Sequence, residues 1–177
     1  LPNRRTADIL VSLIHRERSW LKAAAITSLG MSNDSSYEDI YLACLSDSSD
    51  RVVSAAAIAL GKTKSSGAFH ALAGVRRRPS WKNQSLMHAL NGLAQLGDMR
   101  AESIALDALR DNTSPRWFLG NAWDYPYVAA QTLRTLGRTD SAYTLVKQRF
   151  LNAIARGDLN DIFHQVLLIS TLGDPGG

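Results

Sequence analysis

Five stretches of this chain carry apolar residues at helical spacing, and each of them closes on a leucine followed by a glycine. The second stretch, Ala55-Ala56-Ala57-Ile58-Ala59-Leu60-Gly61, shows the pattern most fully. Small alanines let two helices approach closely, the leucine fills the space they leave, and the glycine takes up a left-handed conformation that ends a helix. The Leu-Gly pairs lie 31, 36, 40 and 36 residues apart, at 29–30, 60–61, 96–97, 136–137 and 172–173. This near-regular spacing predicts an internal repeat, with a helix ending at each glycine.

A further stretch of helical pattern precedes each Leu-Gly stretch, so the chain is expected to form pairs of helices. The first helices of the pairs are predicted at 4–16, 36–46, 66–78, 99–111 and 140–156, and the second helices at 18–29, 50–61, 81–96, 125–136 and 159–172. Their predicted N-terminal caps are a capping box at Ser35–Glu38 and the side chains of Ser80, Asp98 and Asp140. Alternating runs rich in β-branched residues are absent, so no strand is predicted.

The helix pairs determine the expected fold. One pair of about 35 residues cannot bury its own apolar face, whereas stacked pairs bury a continuous core. We therefore expect an all-α fold, an α-α superhelix (α-solenoid) of about five helix pairs, in a single domain over residues 1–177. The second helices should line its concave surface, and function is expected there or in insertions between helices. The repeats are placed at about 1–30, 31–61, 62–97, 98–137 and 138–177.

One insertion, residues 112–124, lengthens the fourth repeat and concentrates aromatic residues, glycine and proline. Long loops on a solenoid often carry binding, which makes Trp117, Trp123 and the following Tyr125 candidates for a binding surface. The alternative is a local cap, in which Trp117, Phe118 and Trp123 fold back onto the solenoid.

The composition is that of a folded chain, since hydrophobic residues make up 45% and charged residues 20% of its 177 residues. No apolar run approaches the roughly 20 residues that span a bilayer, so no membrane partner is expected. Cys44 is the only cysteine and lies in an apolar helical stretch, where we expect a small buried hydrophobe. A lone cysteine excludes an internal disulfide and a cysteine-based zinc site.

The charge is uneven along the chain, although the net charge is only +4. No acidic residue occurs between Asp50 and Asp98, and this window contains the run Arg76-Arg77-Arg78-Pro79-Ser80-Trp81-Lys82. Basic residues beside an aromatic side chain can bind phosphate or nucleic acid, so Arg76, Arg77, Arg78, Trp81 and Lys82 are candidates for a binding surface. Basic residues near a helix C-terminus also satisfy its last carbonyls, which is the structural alternative.

No complete catalytic site can be found in the sequence. None of the four histidines lies in a His-Glu-x-x-His sequence, and neither a phosphate-binding glycine loop nor a Gly-x-Ser-x-Gly elbow occurs. We therefore predict no catalytic residue, no cofactor and no metal. His88 and His164 each precede a repeat leucine by eight residues, and we expect both to be packed, hydrogen-bonded histidines of the core or groove.

Residues 50–61 resemble a HEAT repeat of the short, bacterial type, also called phycobilisome-lyase-like, and the other copies are in register with them. Three segments, 68–72, 80–83 and 89–98, are similar to the helical C-terminal regions of bacterial M1-family zinc aminopeptidases. In that family these helices wall off the active-site chamber and limit which peptides enter. The catalytic Gly-x-Met-Glu-Asn and His-Glu-x-x-His motifs are absent here, so no catalytic or zinc residue is carried over.

The resemblance implies a non-catalytic interaction domain whose partner is a protein or peptide, in the aminopeptidase case its own upstream catalytic domain. Because the chain lacks an initiator Met and stops within the turn that begins at Gly173, we expect a piece of a larger protein. A different function that fits the residue types is nucleic-acid binding, similar to that of HEAT-like DNA glycosylases, with Trp117, Trp123, Asp124, Arg134 and the basic run as suitable residues. A free-standing scaffold and a bilin lyase are also compatible with the repeat.

Overall fold

The protein is all-α, as predicted. Its structure is a computed structural model that describes residues 4–16, 18–80, 83–111 and 124–173. Within these ranges it contains no strand, and none of its helices is long and apolar enough to cross a membrane. Besides a 3-10 helix at Ser35–Tyr37, the described helices are α1 (Arg4–Arg16), α2 (Ser19–Gly30), α3 (Glu38–Cys44), α4 (Asp50–Thr63), α5 (Ala68–Val75), α6 (Gln84–Leu96), α7 (Ala101–Arg110), α8 (Tyr125–Thr135), α9 (Asp140–Arg156) and α10 (Leu159–Leu172).

The helices stack as pairs into a solenoid. Each odd-numbered helix packs on the even-numbered helix that follows it, and the even-numbered helices also pack on one another in the order α2, α4, α6, α8 and α10. Contacts between successive odd-numbered helices are sparse. The even-numbered helices therefore form a tight inner row and the odd-numbered helices a splayed outer row, which makes the inner side concave.

Small residues account for the tight inner row. In α4 every residue from Ala55 to Gly61 except Ile58 is buried, and four of these six are alanines. Cys44 at the end of α3 is buried as predicted, and burial raises the pKa of its thiol. The repeat leucines are not equivalent, because Leu29 and Leu60 are fully buried whereas Leu96 and Leu136 lie at the edge of the core.

The prediction that each repeat glycine ends a helix in the left-handed conformation is wrong for the first two copies. Gly97 and Gly137 have φ of +72° and +67° and end their helices in the left-handed conformation. Gly30 is the last residue of α2, but its φ is not positive. Gly61 lies inside α4, whose C-cap is Lys64 with φ +57°. A Cβ atom on Gly30 would lie 2.7 Å from Cβ of Ala59, so this glycine provides space for the next helix.

The predicted caps do not occupy the N-cap positions, which in α6 and α7 belong to Asn83 and Arg100. Two of the predicted side chains still bind backbone N–H groups nearby. Ser80 accepts from the N–H of Ser85, the second residue of α6, at 2.8 Å, and Asp98 accepts from that of Arg100 at 2.9 Å. Asp140 is the first residue of α9 and caps nothing there, since Thr139 takes the N-cap position. The capping box at Ser35–Glu38 is also wrong. Asp34 accepts from the N–H of Ser36 at 2.8 Å, and Glu38 instead accepts from the hydroxyl of Ser65 at 2.6 Å, joining two successive pairs.

Candidate functional site

A groove runs along the concave side of the inner row and contains two neighbouring hollows. The amino-terminal hollow, of about 620 Å³, lies between α2, α4 and α6, and the carboxyl-terminal hollow, of about 510 Å³, lies between α6, α8 and α10. Ile58 of α4 lines both of them. The two hollows are therefore parts of one continuous groove.

Most of the described residues that line the groove occur at three fixed positions in the repeat. They lie nine, five and two residues before the repeat leucine, which is the spacing of one face of a helix. The lining residues at the first position are Trp20, Arg51, Met87 and Tyr127, those at the second are Ala24, Ala55, Asn91 and Gln131, and those at the third are Thr27, Ile58, Ala94, Arg134 and Ser170. The same positions of successive repeats therefore form the groove.

The amino-terminal hollow is mainly apolar. Trp20 is 61% exposed at its edge, although it is one of the largest apolar side chains of the chain. Met87 and Ala24 supply further apolar surface. The packing of the helices therefore leaves a large aromatic ring in solvent at the mouth of a concave surface, where aromatic side chains contribute most to binding.

The carboxyl-terminal hollow is polar. Carboxamide side chains of Asn91, Gln95 and Gln131 line it, and the Nε2 of Gln131 donates to the hydroxyl of Tyr127 at 3.0 Å. Arg134 is the one charged side chain among its described lining residues, and its Nη1 donates to the carbonyl oxygen of Thr171 at 3.3 Å.

Two histidine–aspartate pairs link neighbouring inner helices at equivalent places. His164 of α10 lies with its Nε2 3.0 Å from Oδ2 of Asp124, which also caps α8 by accepting from Tyr127 N–H. His88 of α6 lies with its Nε2 3.7 Å from Oδ1 of Asp50 at the start of α4. The expected packed and hydrogen-bonded state is therefore confirmed for His164. His88 is packed, but its Nε2 has no hydrogen-bond partner among the described residues.

Burial lowers the pKa of His88, while the carboxylate of Asp50 acts in the opposite direction. The imidazole is therefore favoured in its neutral form in the folded protein. In the described part of the chain, no three His, Cys, Asp or Glu side chains come together in an arrangement that could hold a metal ion.

The described part of the basic run, residues 76–80, follows the end of α5 and lines neither hollow of the groove. The guanidinium of Arg78 donates to the carbonyl oxygen of Leu45, the C-cap of α3, while Arg77 is exposed. Nε of Arg76 is buried and without a hydrogen-bond partner in the described ranges. Arg78 thus has the structural role that was the alternative for this run. Trp81 and Lys82 lie outside the described residues.

The aromatic candidates of the insertion are not gathered into a described surface. Trp117 and Trp123 lie outside the described residues. Tyr125 was predicted to belong to a binding surface, but it is the first residue of α8 and only 1% exposed. Its side chain is therefore part of the hydrophobic core.

Basic side chains satisfy the ends of helices in neighbouring repeats at three further places. Arg149 of α9 donates to the carbonyl oxygens of Leu109 and Arg110 at 2.5 and 2.7 Å, where α7 ends. Lys64 donates to the carbonyl oxygens at the end of α6, at 2.8 Å in the case of Leu96. Arg134 likewise donates to the carbonyl oxygen of Thr171 at the end of α10. Cations are favourable there because the last carbonyls of a helix are unpaired and carry the negative end of its dipole.

Comparison with known families agrees with this architecture. Residues 7–87 match the model of the family of HEAT repeats. This part of the chain, from α1 into α6, is a HEAT-like helical repeat. HEAT repeats commonly act as scaffolds for protein interaction, and their fold is typically non-catalytic. A search of curated proteins finds no match to the chain.

The groove residues, Trp20, Asn91, Gln95 and Gln131 among them, were not predicted from the sequence. Charged and aromatic clusters are visible along the chain, whereas these side chains come together from different repeats. The signal that could have found Trp20, Asn91 and Gln131 is the repeat register, since the same three positions before each of the first four repeat leucines line the groove.

Proposed function

We propose that this chain is a non-catalytic helical-repeat interaction domain that binds a protein or peptide in its concave groove. The observation that carries the proposal is Trp20, which is 61% exposed beside Met87 in the amino-terminal hollow. An exposed tryptophan adds nothing to the solenoid core, whereas at an interface it is among the residues that contribute most to binding.

The distribution of basic residues favours a protein partner over a nucleic acid. Neither α6 nor α10 contains a lysine or arginine, and α8 contains only Arg134. Proteins that bind duplex DNA neutralise several phosphates, roughly six to ten for a strong salt dependence. In α2 the only basic residue, Lys22, is paired with Asp47 at 2.7 Å. In α4, Arg51 lines the amino-terminal hollow, and Lys62 is in the last turn of the helix and lines neither hollow. Among the described lining residues, Arg51 and Arg134 are thus the lysines or arginines that the groove offers to a phosphate backbone.

For the finer assignment, we propose that the partner is the catalytic domain of an M1-family zinc aminopeptidase in the same protein, with the groove as a wall of its substrate chamber. The resemblance of segments 68–72, 80–83 and 89–98 supports this assignment, and α6, which includes much of it, lines both hollows. The sequence of the parent protein tests it. A His-Glu-x-x-His motif upstream, with a downstream glutamate, is expected, and a parent without one would leave a free-standing scaffold.

Selection of peptides tests the interaction function itself. The whole chain would be immobilised and challenged with displayed random 12-residue peptides, and the affinity of selected peptides would be measured by calorimetry. Trp20→Ala is expected to weaken their binding at least tenfold. Met31→Ala, which removes a 71% exposed apolar side chain that lines neither hollow, is the matched control and should change little. Equal losses in both variants, or no selected peptide, would refute the proposal.

A further inference from the structure

The groove changes its chemistry halfway along, at a single repeat position. Five residues before the repeat leucine, the first two copies have Ala24 and Ala55, and the next two have Asn91 and Gln131. All four side chains line the hollows. At this position, methyl groups therefore face the amino-terminal hollow, whereas carboxamides face the carboxyl-terminal hollow.

Carboxamides are suited to the backbone of an extended peptide. Each offers N–H donors and a carbonyl acceptor, the same pair of groups that every residue of a peptide presents. The side chains of Asn91 and Gln95 form no hydrogen bond within the described ranges, and the carboxamide of Gln131 is oriented by Tyr127 through its Nε2. Carboxamides thus line the hollow from α6 to α8 and can pair with a bound main chain.

Arg134 adds a requirement for negative charge. It contributes the only charge among the described residues of the carboxyl-terminal hollow, and no carboxylate there neutralises it. The carbonyl of Thr171 uses one of its five N–H donors and holds the guanidinium at the end of α10. A guanidinium with remaining donors pairs with a carboxylate through two parallel hydrogen bonds.

We propose that the groove binds an extended peptide segment, with an apolar side chain on Trp20 and Met87, its main chain on Asn91, Gln95 and Gln131, and an Asp or Glu side chain on Arg134. This inference rests on the proposed interaction function and specifies its ligand. Trp20 and Arg134 lie three inner helices apart, which is about 24–30 Å at the usual spacing of 8–10 Å between packed helices. An extended chain covers that distance in about eight or nine residues at ~3.3 Å per residue.

Synthetic peptides of defined composition test the inference. Fluorescein-labelled 14-residue peptides would carry one leucine and one glutamate in a serine and threonine background, with the separation of the two varied. Matched peptides would replace the glutamate by glutamine or lysine. Fluorescence anisotropy is expected to give the tightest binding at a separation of about eight or nine residues, at least tenfold tighter for glutamate than for glutamine.

Variants then assign the preference to Arg134. Arg134→Gln should remove the preference for glutamate over glutamine without abolishing the apolar contribution to binding. Arg134→Lys should keep part of that preference, because lysine keeps the positive charge but lacks the planar guanidinium. Arg110→Gln removes an exposed arginine of α7, outside the groove, and is the control. Circular dichroism would confirm that each variant is folded.

The outcomes separate the two proposals. If peptides bind the groove but glutamate, glutamine and lysine bind alike, or Arg134→Gln keeps the glutamate preference, the interaction function survives and the acidic-peptide inference fails. If no peptide binds, both fail. Tighter binding of a 20-base-pair DNA duplex than of any peptide at low salt would overturn both in favour of a nucleic-acid partner.

Discussion

Gly61 of α4 lies against the backbone of Gly92 in α6, so closely that a Cβ atom on Gly61 would overlap the carbonyl oxygen of Gly92. The reverse also holds, because a Cβ atom on Gly92 would lie 2.6 Å from the carbonyl oxygen of Ala57. Two glycines thus allow the backbones of α4 and α6 to pack directly against each other. Since α6 lines both hollows, this crossing sets the position of the centre of the groove.

Alanine at the crossing is expected to destabilise the protein. Gly61→Ala places a methyl group against backbone that cannot move aside, and overpacking of this kind typically costs about 1–3 kcal/mol of unfolding free energy. Gly74→Ala is the matched control, because Gly74 lies within α5 with no atom near its missing Cβ. That change should stabilise the protein by up to about 1 kcal/mol through helix propensity. Urea unfolding of both variants measures the difference, and equal effects would contradict the close crossing.

The Leu-Gly pair thus has two structural outcomes, a close helix contact or a helix end, and the sequence pattern alone does not distinguish them. The helical spacing and the Leu-Gly pairs predicted the order and approximate limits of the described α-helices. They did not distinguish Gly61, which the next helix covers, from Gly97, which ends its helix at φ +72°. That distinction depends on a contact between repeats, and no local pattern encodes it.

The candidate site was less predictable for a related reason. The packing of His88 and His164 could be predicted from their equivalent positions in the repeat, whereas their aspartate neighbours could not. The binding candidates were runs of aromatic or basic residues. Arg78 shows why a basic run is ambiguous, since its guanidinium satisfies the end of α3. Once the inner face of the repeat is known, the groove residues follow from it, and Trp20 and Gln131 need no motif of their own.

Arginine contacts between repeats should stabilise the outer row. Arg149→Gln removes the charged donors from the carbonyl oxygens of Leu109 and Arg110, and we expect a loss of about 1 kcal/mol, because a half-exposed contact contributes less than the ~1.5–3 kcal/mol of a hydrogen bond to a charged group. Arg110→Gln is the control, since its exposed ion pair with Asp107 at 3.4 Å contributes little. Chemical unfolding that ranks the two variants in the opposite order would contradict this role.

The thiol of Cys44 should be unreactive in the native protein. Its side chain is buried at the end of α3, and burial raises the pKa of the thiol, so little of the nucleophilic thiolate forms near neutral pH. Ellman's reagent is expected to react slowly without denaturant and rapidly in urea. Fast labelling of the native chain would mean that α3 opens readily, and hydrogen exchange of that helix would then be the check.

His88 should make the stability of the protein depend on pH. Its pKa is lowered from the usual 6.5, first because the imidazole is buried, with the carboxylate of Asp50 opposing the effect from 3.7 Å. Below about pH 6.5 the unfolded chain therefore binds a proton that the folded protein resists, so the free energy of unfolding falls as the pH falls through this range. Above it, both states hold a neutral imidazole and this contribution vanishes.

Two variants isolate this contribution in thermal melts between pH 8 and pH 5. His88→Gln should flatten the loss of Tm toward acid relative to the wild type, because the titrating group is gone. Asp50→Asn should steepen it, since the carboxylate that partly stabilises the charged imidazole is removed. His70→Gln, which removes an exposed histidine of α5 outside both hollows, is the control for the loss of a histidine as such. If Tm falls with pH equally in the wild type and in His88→Gln, the buried imidazole does not cause the loss of stability at acid pH.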